Sequence, residues 1–508
     1  MKLFNTFINW YLKKRFKQLE QHYTNPIQLQ EATLKHLLSF ASVTEFGKKY
    51  NFESIQSIMH FQENVPLQNY NIIQPYINRM MAGEQQLLWP TNIDWFAKSS
   101  GTTCAKSKFI PVSSEGLEDC HYRGGKDILT MYCQNFPNST IFNGKALVMG
   151  GSNSINQLNK KSYYGDVSAV MMENMPFLGR FLNTPDKSIS LMDEWEEKLE
   201  KMALATIKED VSMVVGVPSW TLVLFKKIAE ITGEKNINKV WPNLELYIHG
   251  GVSFTPYKKA FEEFLPSTSM QYFQTYNASE GFFALQDKAN RDDMLLMLDY
   301  GIFYEFYDAS DGKICTLAEV EIDKPYSLII STNGGLWRYK IGDTISFTST
   351  KPYRIKVVGR DVQFINAFGE EVIVDNADKA IAVACEKTDA KVAEYTAAPF
   401  YMAKDKKGRH EWIIEFDKSP DSIDQFTYQL DTALQQINSD YEAKRYKDLA
   451  LEIPIIHTAQ PDLFHNWLKN KGKLGGQHKV PRLANNRKYF EEIFELNLNI
   501  AKHNSSHL

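Results

Sequence analysis

The sequence predicts a large α/β protein with two domains, and three observations support this fold class. The chain has 508 residues, of which 43% are hydrophobic and 13% aromatic, so it can form more than one sizeable core. Helix-like and strand-like segments alternate through its middle. A new series of helix-like and strand-like segments starts after residue 365. This predicts a large domain over residues 1–365 and a smaller one over residues 366–508.

The first ninety residues predict helices. Apolar residues recur at helical intervals over residues 31–46, and prolines such as Pro75 are then expected to break the chain. Residues 116–132 predict a further helix, which the pair Gly124-Gly125 is expected to interrupt.

Buried strands that end in glycine-containing turns come next and alternate with helices. The expected strands are 146–149, 211–217 and 244–248, and the expected helices are 195–208 and 220–231. Between residues 294 and 358, short segments rich in Tyr, Phe and Ile predict an antiparallel sheet or a small barrel that completes the large domain. The smaller domain is expected to contain helices 371–386 and 426–441 with a strand at 411–416.

Composition argues against several classes of protein. The net charge is −4 and no long basic run is interleaved with aromatics, so no nucleic-acid partner is expected. No run of eighteen apolar residues suggests a membrane span, and the amphipathic stretch near the start is expected to pack on its own domain. The five cysteines suggest neither a disulfide framework nor a zinc ribbon, which favours a cytoplasmic location. No obligate protein partner is evident.

The run Ser99-Ser100-Gly101-Thr102-Thr103 predicts a phosphate-binding loop. Its hydroxyl groups can donate to phosphate oxygens, and the glycine lets the backbone approach closely. Either Lys106 or Lys108, just after the run, could neutralise a departing pyrophosphate. A solvated serine-rich turn is the alternative reading of the same residues.

Two later segments strengthen the functional reading. They are Thr275-Tyr276-Asn277-Ala278-Ser279-Glu280-Gly281 and Trp337-Arg338-Tyr339-Lys340-Ile341-Gly342-Asp343. Together with the first loop they resemble the three signatures of the adenylate-forming (ANL) enzymes. Within that superfamily the chain resembles the auxin-responsive Gretchen Hagen acyl acid amido synthetases, because the first loop has their length. The segments Gly216-Val217-Pro218-Ser219-Trp220 and Gln477-His478-Lys479-Val480-Pro481-Arg482 are similar to two further elements of that family.

The resemblance implies roles for residues of these segments. Tyr276 would lie against adenine, Ser279 would bond the α-phosphate and Glu280 would hold Mg²⁺, which suits a metal that takes few protein carboxylates. Asp343 would accept hydrogen bonds from the two ribose hydroxyls, and Arg360 would lie near the ribose at the domain junction, although a surface turn is an equal reading for that arginine.

Other candidates come from their position in the chain and from the C-terminal domain, which the resemblance implies is mobile. Gly250-Gly251 follows a predicted strand and would let the backbone approach adenine, or would simply form a tight turn. Tyr122, Arg123 and Trp220 are candidates for the acyl pocket because they closely follow the phosphate loop and the Gly-x-Pro-x-Trp turn. By resemblance Lys479 would bridge the carboxylate and the α-phosphate, with Lys471 and Lys473 as competitors.

The predicted activity is ATP-dependent ligation. A carboxylate is a poor electrophile, so it would first attack the α-phosphorus of ATP, forming an acyl-adenylate and releasing pyrophosphate. The resemblance then implies that the amine of an amino acid attacks and AMP leaves. Two alternatives remain: an acyl-CoA or carrier-protein thioester ligase of the same superfamily, and a nucleotide-binding sensor or scaffold without turnover, which Ala105 in the loop would favour. The identity of the acid and of the acceptor is open.

Overall fold

A computed structural model describes residues 14–99, 108–149, 155–192, 194–252, 254–255, 257–267, 269–360, 363–402, 407–471 and 480–505. Below, residues 14–360 are called the N-terminal region and residues 363–505 the C-terminal region. The expected mixed α/β class is confirmed, whereas the domain boundary at residue 365 and the barrel-like part stay predictions.

The described strands, in chain order, are β1 Trp95–Ser99, β2 Lys108–Val112, β3 Lys145–Val148, β4 Asn156–Gln157, β5 Tyr163–Gly165, β6 Asn183–Thr184, β7 Val211–Val215, β8 Leu246–His249, β9 Gln271–Ala278, β10 Gly281–Leu285, β11 Met294–Leu296, β12 Ile302–Tyr307, β13 Ile314–Cys315, β14 Pro325–Thr332, β15 Tyr339–Thr350, β16 Tyr353–Arg360, β17 Phe364–Ile365, β18 Val372–Ile373, β19 Lys391–Phe400, β20 Arg409–Lys418 and β21 Ile455–Thr458.

The described α-helices are Gln21–Thr24, Pro26–Ala41, Glu45–Lys49, Ile58–Asn64, Tyr70–Met81, Tyr122–Asn135, Val167–Glu173, Phe177–Leu182, Lys187–Ser190, Trp195–Thr206, Pro218–Thr232, Ile237–Val240, Lys258–Phe264, Val374–Thr388, Ile423–Ile437, Ser439–Arg445, Leu463–Asn470 and Lys488–Ser505. Short 3₁₀ turns cover Phe52–Ser54, Ile141–Asn143, Leu317–Glu319 and Tyr446–Asp448, and Gly116–His121 is a π-helix.

A twelve-stranded sheet organises the N-terminal region, in the order β13-β12-β14-β15-β16-β11-β10-β9-β8-β7-β3-β6. Strands β6, β3, β7, β8 and β9 pair in parallel, and all pairings from β9 to β13 are antiparallel. The sheet therefore changes type at β9. In open α/β sheets the carboxyl ends of the parallel strands border the usual ligand crevice, which directs attention to the turn after β9.

Two local expectations are wrong for reasons of packing. Pro75 lies inside the helix Tyr70–Met81, because that helix buries Ile73 and Ile77 completely and this burial offsets the lost backbone hydrogen bond. The Gly124-Gly125 pair does not interrupt its helix. A Cβ on Gly124 would lie 2.5 Å from the Phe282 ring, so glycine here allows the helix to approach β10 closely.

Three hydrophobic clusters form the core of the described residues. One fills the N-terminal region, and a smaller one joins the last helices to Ile413 and Ala398. The third contains side chains from both regions, including Trp220 and Tyr257 of the N-terminal region with Phe368 and Leu434 of the C-terminal region. The two regions consequently share buried apolar surface. No described helix has the length and hydrophobicity needed to cross a bilayer.

Candidate active site

The turn between β9 and β10 carries Ser279 and Glu280 at the point where the sheet changes type. The tyrosine of the same segment, Tyr276, is buried and donates a hydrogen bond from its hydroxyl to Asp343 Oδ2 at 2.6 Å. Asp343 belongs to β15, 67 residues later in the chain. Two of the sequence segments that were predicted to cooperate are thus brought into direct contact.

Two more predicted residues lie beside this pair. Asp343 and Arg360 are Cα partners across the β15–β16 ladder, which places Arg360 opposite Asp343 at the end of its strand. Gly250 follows β8 and packs against the segment that contains Tyr276, because a Cβ on Gly250 would lie 2.8 Å from the Thr275 carbonyl oxygen. Only glycine permits this approach without a shift of the strand. The next residue, Gly251, has φ +79°.

The hairpin of β1 and β2 pairs the first residue of the predicted phosphate-binding loop with a lysine that follows the loop in sequence. Ser99 and Lys108 are Cα partners in this hairpin, and Lys108 is buried with its Nζ 5.8 Å from the centroid of the Tyr70 ring. The other predicted residues of the loop, Ser100, Gly101, Thr102 and Thr103, lie outside the described residues, as do Lys106 and Ala105. Lys479 and its competitor Lys473 also lie outside them, whereas Lys471 pairs with Glu492 at 2.9 Å.

Glu280 has an unusual electrostatic environment. Burial raises the pKa of its carboxyl group to about 7, and the negative charges of Asp343 and Glu371 add to this increase, while the positive charge of Lys108 opposes it. A cation bound next to Glu280 would favour the ionised form. We call Lys108, Gly250, Tyr276, Ser279, Glu280 and Asp343 the strand-end cleft.

A cavity adjoins the strand-end cleft. Its walls are residues 111–113 at the end of β2, Gly116, Cys120 and His121 of the π-helix, residues 279–281 of the β9–β10 turn, and residues 333–334 after β14. Because Ser279 and Glu280 belong to its lining, a molecule in the cavity would lie next to the residues assigned to phosphate and metal binding. The cavity has room for only about one water molecule, so it does not by itself identify an acyl pocket.

The three residues predicted for the acyl pocket make structural contacts. The Tyr122 hydroxyl donates to the Met171 carbonyl oxygen at 2.7 Å, and Arg123 pairs with Asp119 and donates to the Asp299 carbonyl oxygen. Trp220 is buried between the two regions. Their substrate roles stay predictions, but these contacts favour structural roles.

Cys120 and His121, which the sequence reasoning missed, line the cavity from the same helical segment. The sequence contains no local signal for the π-helix, whose wider turn alters which residues face inward. Burial lowers the pKa of His121 to about 4, so its imidazole is neutral at pH 7.

The predicted signature Trp337–Asp343 has one end in the strand-end cleft and the other in the protein core. Arg338 is buried and forms a bidentate pair with Glu305, with both N···O distances at 2.9 Å. Trp337 is fully buried and stacks with Phe46. Only Asp343, at the far end of the motif, reaches the strand-end cleft. The earlier part of the motif holds β15 in place.

Comparison with known proteins decides the family. Models of the GH3 family match the chain over residues 15–270 for the N-terminal domain, 295–360 for the central domain and 375–488 for the C-terminal domain. The chain belongs to the GH3 family. The resemblance to the Gretchen Hagen enzymes inferred from the motifs is thereby confirmed.

Two curated relatives illustrate the similarity of this GH3 chain to plant enzymes. Indole-3-acetic acid-amido synthetase GH3.3 of Arabidopsis thaliana is 22% identical over 567 residues, with 95% of this chain and 93% of that protein covered. The 4-substituted benzoates-glutamate ligase GH3.12 of the same organism is 20% identical over 567 residues, with 94% and 96% covered.

Solved structures show the same fold. The AtGH3.15 acyl acid amido synthetase, in complex with 2,4-DB, superposes with a TM-score of 0.64 at 17% identity, covering 96% of each chain. A 2-hydroxyisobutyryl-CoA ligase in complex with 2-HIB-AMP and CoA superposes with a TM-score of 0.58 at 13% identity, covering 95% of this chain and 94% of that one. An amido synthetase and a CoA ligase thus share this architecture, and the fold alone does not select the acceptor.

Proposed function

We propose that this GH3 chain is an ATP-dependent acyl acid amido synthetase. It joins a small carboxylic acid to an amino acid through an acyl-adenylate. The observation that carries the proposal is the convergence of Tyr276, Glu280 and Asp343 at the carboxyl edge of the parallel strands. Tyr276 and Glu280 belong to one segment of the chain and Asp343 to another, and the hydrogen bond from Tyr276 to Asp343 joins the two segments directly.

The first proposed step uses the strand-end cleft. The substrate carboxylate attacks the α-phosphorus of ATP, and the bond to the bridging oxygen of pyrophosphate breaks. Ser279 donates to the α-phosphate, Tyr276 lies against adenine with Gly250 and Gly251 near its edge, and Asp343 accepts from the ribose hydroxyls. Arg360 lies close to the ribose. Lys108 lies near enough to Glu280 to influence its pKa, so its positive charge can also stabilise the phosphates.

Glu280 suits a magnesium ion that travels with ATP. Its hard carboxylate oxygens lie beside the proposed phosphate site, and Mg²⁺ commonly takes only one or two protein carboxylates together with phosphate and water. Within the described residues, no group of three or more His, Cys, Asp or Glu side chains forms a metal cluster. The proposed ion is therefore held jointly by Glu280 and the nucleotide, and it supplies charge neutralisation for the phosphates.

The second proposed step needs the C-terminal region. An amino acid amine attacks the acyl carbon, a C–N bond forms, and AMP leaves with the electrons of the acyl–oxygen bond. We assign residues 1–365 to the ATP- and acid-binding domain and 366–508 to a lid that moves between the two steps, with Lys479 as its proposed catalytic lysine. The proposed location is the cytoplasm, in keeping with the free state of the described cysteines, which are Cys120, Cys133, Cys315 and Cys385.

The experiment is pyrophosphate release from ATP and Mg²⁺ with a panel of carboxylic acids, followed by mass analysis of the product with amino acids or coenzyme A as acceptors. An amide product supports the proposal. A CoA thioester would instead favour the alternative that shares this fold with the 2-hydroxyisobutyryl-CoA ligase. Nucleotide binding without pyrophosphate release from any acid would indicate a sensor or scaffold.

Glu280→Ala tests the assignment of the metal-binding residue. Loss of a carboxylate that acts through the bound cation should reduce Mg²⁺-dependent turnover by at least about a hundredfold, while the melting temperature changes little. Asp292→Ala is the matched control, because Asp292 is an exposed carboxylate shortly after β10. Equal activity of the two variants would remove Glu280 from the mechanism.

A further inference from the structure

The contact between the two regions contains one charged side chain that differs from its surroundings. Lys444, in the helix Ser439–Arg445 of the C-terminal region, is only 8% exposed. Its Nζ atom lies 4.2 Å from the centroid of the Trp220 ring in the N-terminal region. A Cβ on Gly369 would lie 3.4 Å from the same atom, so the loop after β17 also covers the lysine. Residues of both regions therefore enclose this ammonium group.

The ammonium group of Lys444 lacks a hydrogen-bond acceptor. None of the residues that the structure describes accepts a hydrogen bond from its Nζ atom, and Asp440, Glu370 and Asp166 act on it only through their charges. Two of these carboxylates are used elsewhere. Glu370 is paired with His410 Nε2 at 2.8 Å, and Asp166 caps the helix that follows it.

Neighbouring polar contacts between the regions are paired. The Tyr446 hydroxyl donates to the Glu194 carboxylate, and Lys447 forms an ion pair with Glu196. Lys447 is only three residues from Lys444, yet its side chain is 53% exposed. The same segment thus carries one paired lysine at the surface and one unpaired lysine inside the contact.

The enclosed charge opposes the packing around it. Burying an unpaired ammonium group is unfavourable because the group loses its hydration. The face of an indole ring attracts a cation, but this attraction replaces only part of the lost hydration. The cost disappears when the regions separate and water reaches Lys444. Apolar burial that includes Trp220 and Phe368 favours the contact, so two opposing contributions determine how often it opens.

We propose that Lys444 is a conformational device that keeps the contact between the two regions reversible, because its buried charge favours their separation. The inference rests on the proposed function in one respect: a lid that moves between adenylation and amide formation must leave this contact in every cycle. An apolar side chain of similar length in place of the lysine should hold the two regions together for longer.

Hydrogen exchange tests the opening directly. It is measured at pH 7 on both sides of the contact, over residues 219–221 and 366–371. In the wild type these amides should exchange faster, after correction for intrinsic rates, than those of the buried strand β14, because the contact opens without global unfolding. Lys444→Met should slow exchange on both sides by about tenfold or more. Equal wild-type rates in the contact and in β14, or an unchanged rate in Lys444→Met, would overturn the proposal.

Two further variants separate the charge from other effects of the substitution. Lys444→Arg keeps the positive charge and should exchange at nearly the wild-type rate, so a slowing as large as that of Lys444→Met would contradict the role of the charge. Lys447→Met is the matched control, because it removes the exposed pair with Glu196 from the same segment. Loss of that pair should leave exchange unchanged or make it faster. Equal slowing in Lys447→Met and Lys444→Met would also overturn the proposal.

Turnover connects the opening with the proposed function. Lys444→Met should lower the steady-state kcat for amide formation by about threefold or more, because the regions must separate in each cycle. An unchanged kcat would overturn the link between Lys444 and the movement of the lid. If the wild type releases pyrophosphate with no acid, the proposed function is wrong, and the exchange rates still decide whether Lys444 favours opening.

Discussion

The strand-end cleft and the contact between the two regions both involve segments that follow parallel strands, but they use polar groups in opposite ways. In the helix after β7, Ser219 Oγ donates to the Phe368 carbonyl oxygen at 2.9 Å, and after β8 the Tyr257 hydroxyl donates to the Ala367 carbonyl oxygen. We call Ser219, Trp220, Tyr257, Ala367, Phe368 and Lys444 the inter-region interface. Its hydroxyls are directed at backbone carbonyls across the contact. In the cleft, by contrast, carboxylates gather beside a lysine, an arrangement that suits a ligand.

This difference explains why short motifs that look equally functional in sequence have different uses. Trp220 and Asp343 were both predicted to contact small molecules, and both are largely buried. The Trp220 ring faces Lys444, whose Nζ lies 4.2 Å from the ring centroid, whereas Asp343 receives the Tyr276 hydroxyl beside Glu280. The residues that surround a buried side chain, more than its motif, separate a ligand site from an internal contact.

The largest expected effect comes from Arg338, which shares a motif with Asp343 but lies in the core. Arg338→Met should lower the free energy of unfolding by about 3–5 kcal/mol, because it leaves the Glu305 carboxylate buried without its partner. Chemical denaturation measures the change. The double variant Arg338→Met/Glu305→Met removes both charges and should recover most of the loss. A cost below about 1 kcal/mol for the single variant would show that this half of the motif is not structural.

A smaller effect is expected at the other end of the motif. Asp343→Asn should weaken ATP binding by about tenfold to a hundredfold, because hydrogen bonds from the ribose would go to a neutral amide in place of a carboxylate. The amide oxygen can still accept from the Tyr276 hydroxyl, so stability should change little. Equilibrium nucleotide binding measures the change, with Asp292→Asn as the exposed control. Unchanged affinity would remove the ribose role from Asp343.

Much of the fold was accessible from sequence because its segments are periodic and apolar. The strand β3 was predicted to within one residue at each end, and the helix Pro218–Thr232 was predicted to within two residues at each end. The errors occurred where tertiary contacts override local signals. Pro75 remains inside a helix that buries its apolar face, and Gly124 permits the approach of Phe282.

The candidate site was partly predictable for a related reason. Tyr276, Glu280 and Asp343 lie in compact motifs whose chemistry is visible in the sequence, and the structure brings them together. His121 was missed because its orientation depends on the π-helix Gly116–His121, for which the sequence contains no local signal. Lys444 was missed because a lone lysine on a helix is ordinarily exposed, and only the packing of one region against the other buries it.

Lys444 offers a pH-dependent test of the inter-region interface. Burial lowers its pKa from 10.5 to about 8, although Asp440, Glu370 and Asp166 act in the opposite direction. The unfolded chain therefore binds more protons between these values, and wild-type stability should gain from rising pH over this range. Below pH 8 the lysine is charged in both states, and the cost of burying it is fully present.

Lys444→Met removes this cost. The variant should be more stable than the wild type by about 1–3 kcal/mol at pH 7, and its advantage should shrink as the pH rises from 8 to 10.5. Unfolding curves at several pH values measure the difference. Lys379→Met is the control, because Lys379 forms a surface pair with Asp375 and should show no such trend. A constant difference between wild type and Lys444→Met across this range would place Lys444 outside the buried interface.

The smallest effect concerns a single neutral hydrogen bond across the same interface. Ser219→Ala removes the donor to the Phe368 carbonyl oxygen, and a buried bond of this kind contributes about 1 kcal/mol. The loop after β17 is also held by the Glu370 carboxylate, which accepts from the Phe368 N–H at 2.6 Å. We therefore expect the loop to remain in place but to open more often. Hydrogen exchange of the backbone amides over residues 366–371 should then be about fivefold faster than in the wild type.

Ser54→Ala, at an exposed turn, is the control and should leave that exchange rate unchanged. If the exchange rate in Ser219→Ala equals that of the wild type, the Ser219 hydrogen bond does not help to hold the two regions together. The difference between the inter-region interface and the strand-end cleft would then depend on the contact between Trp220 and Lys444.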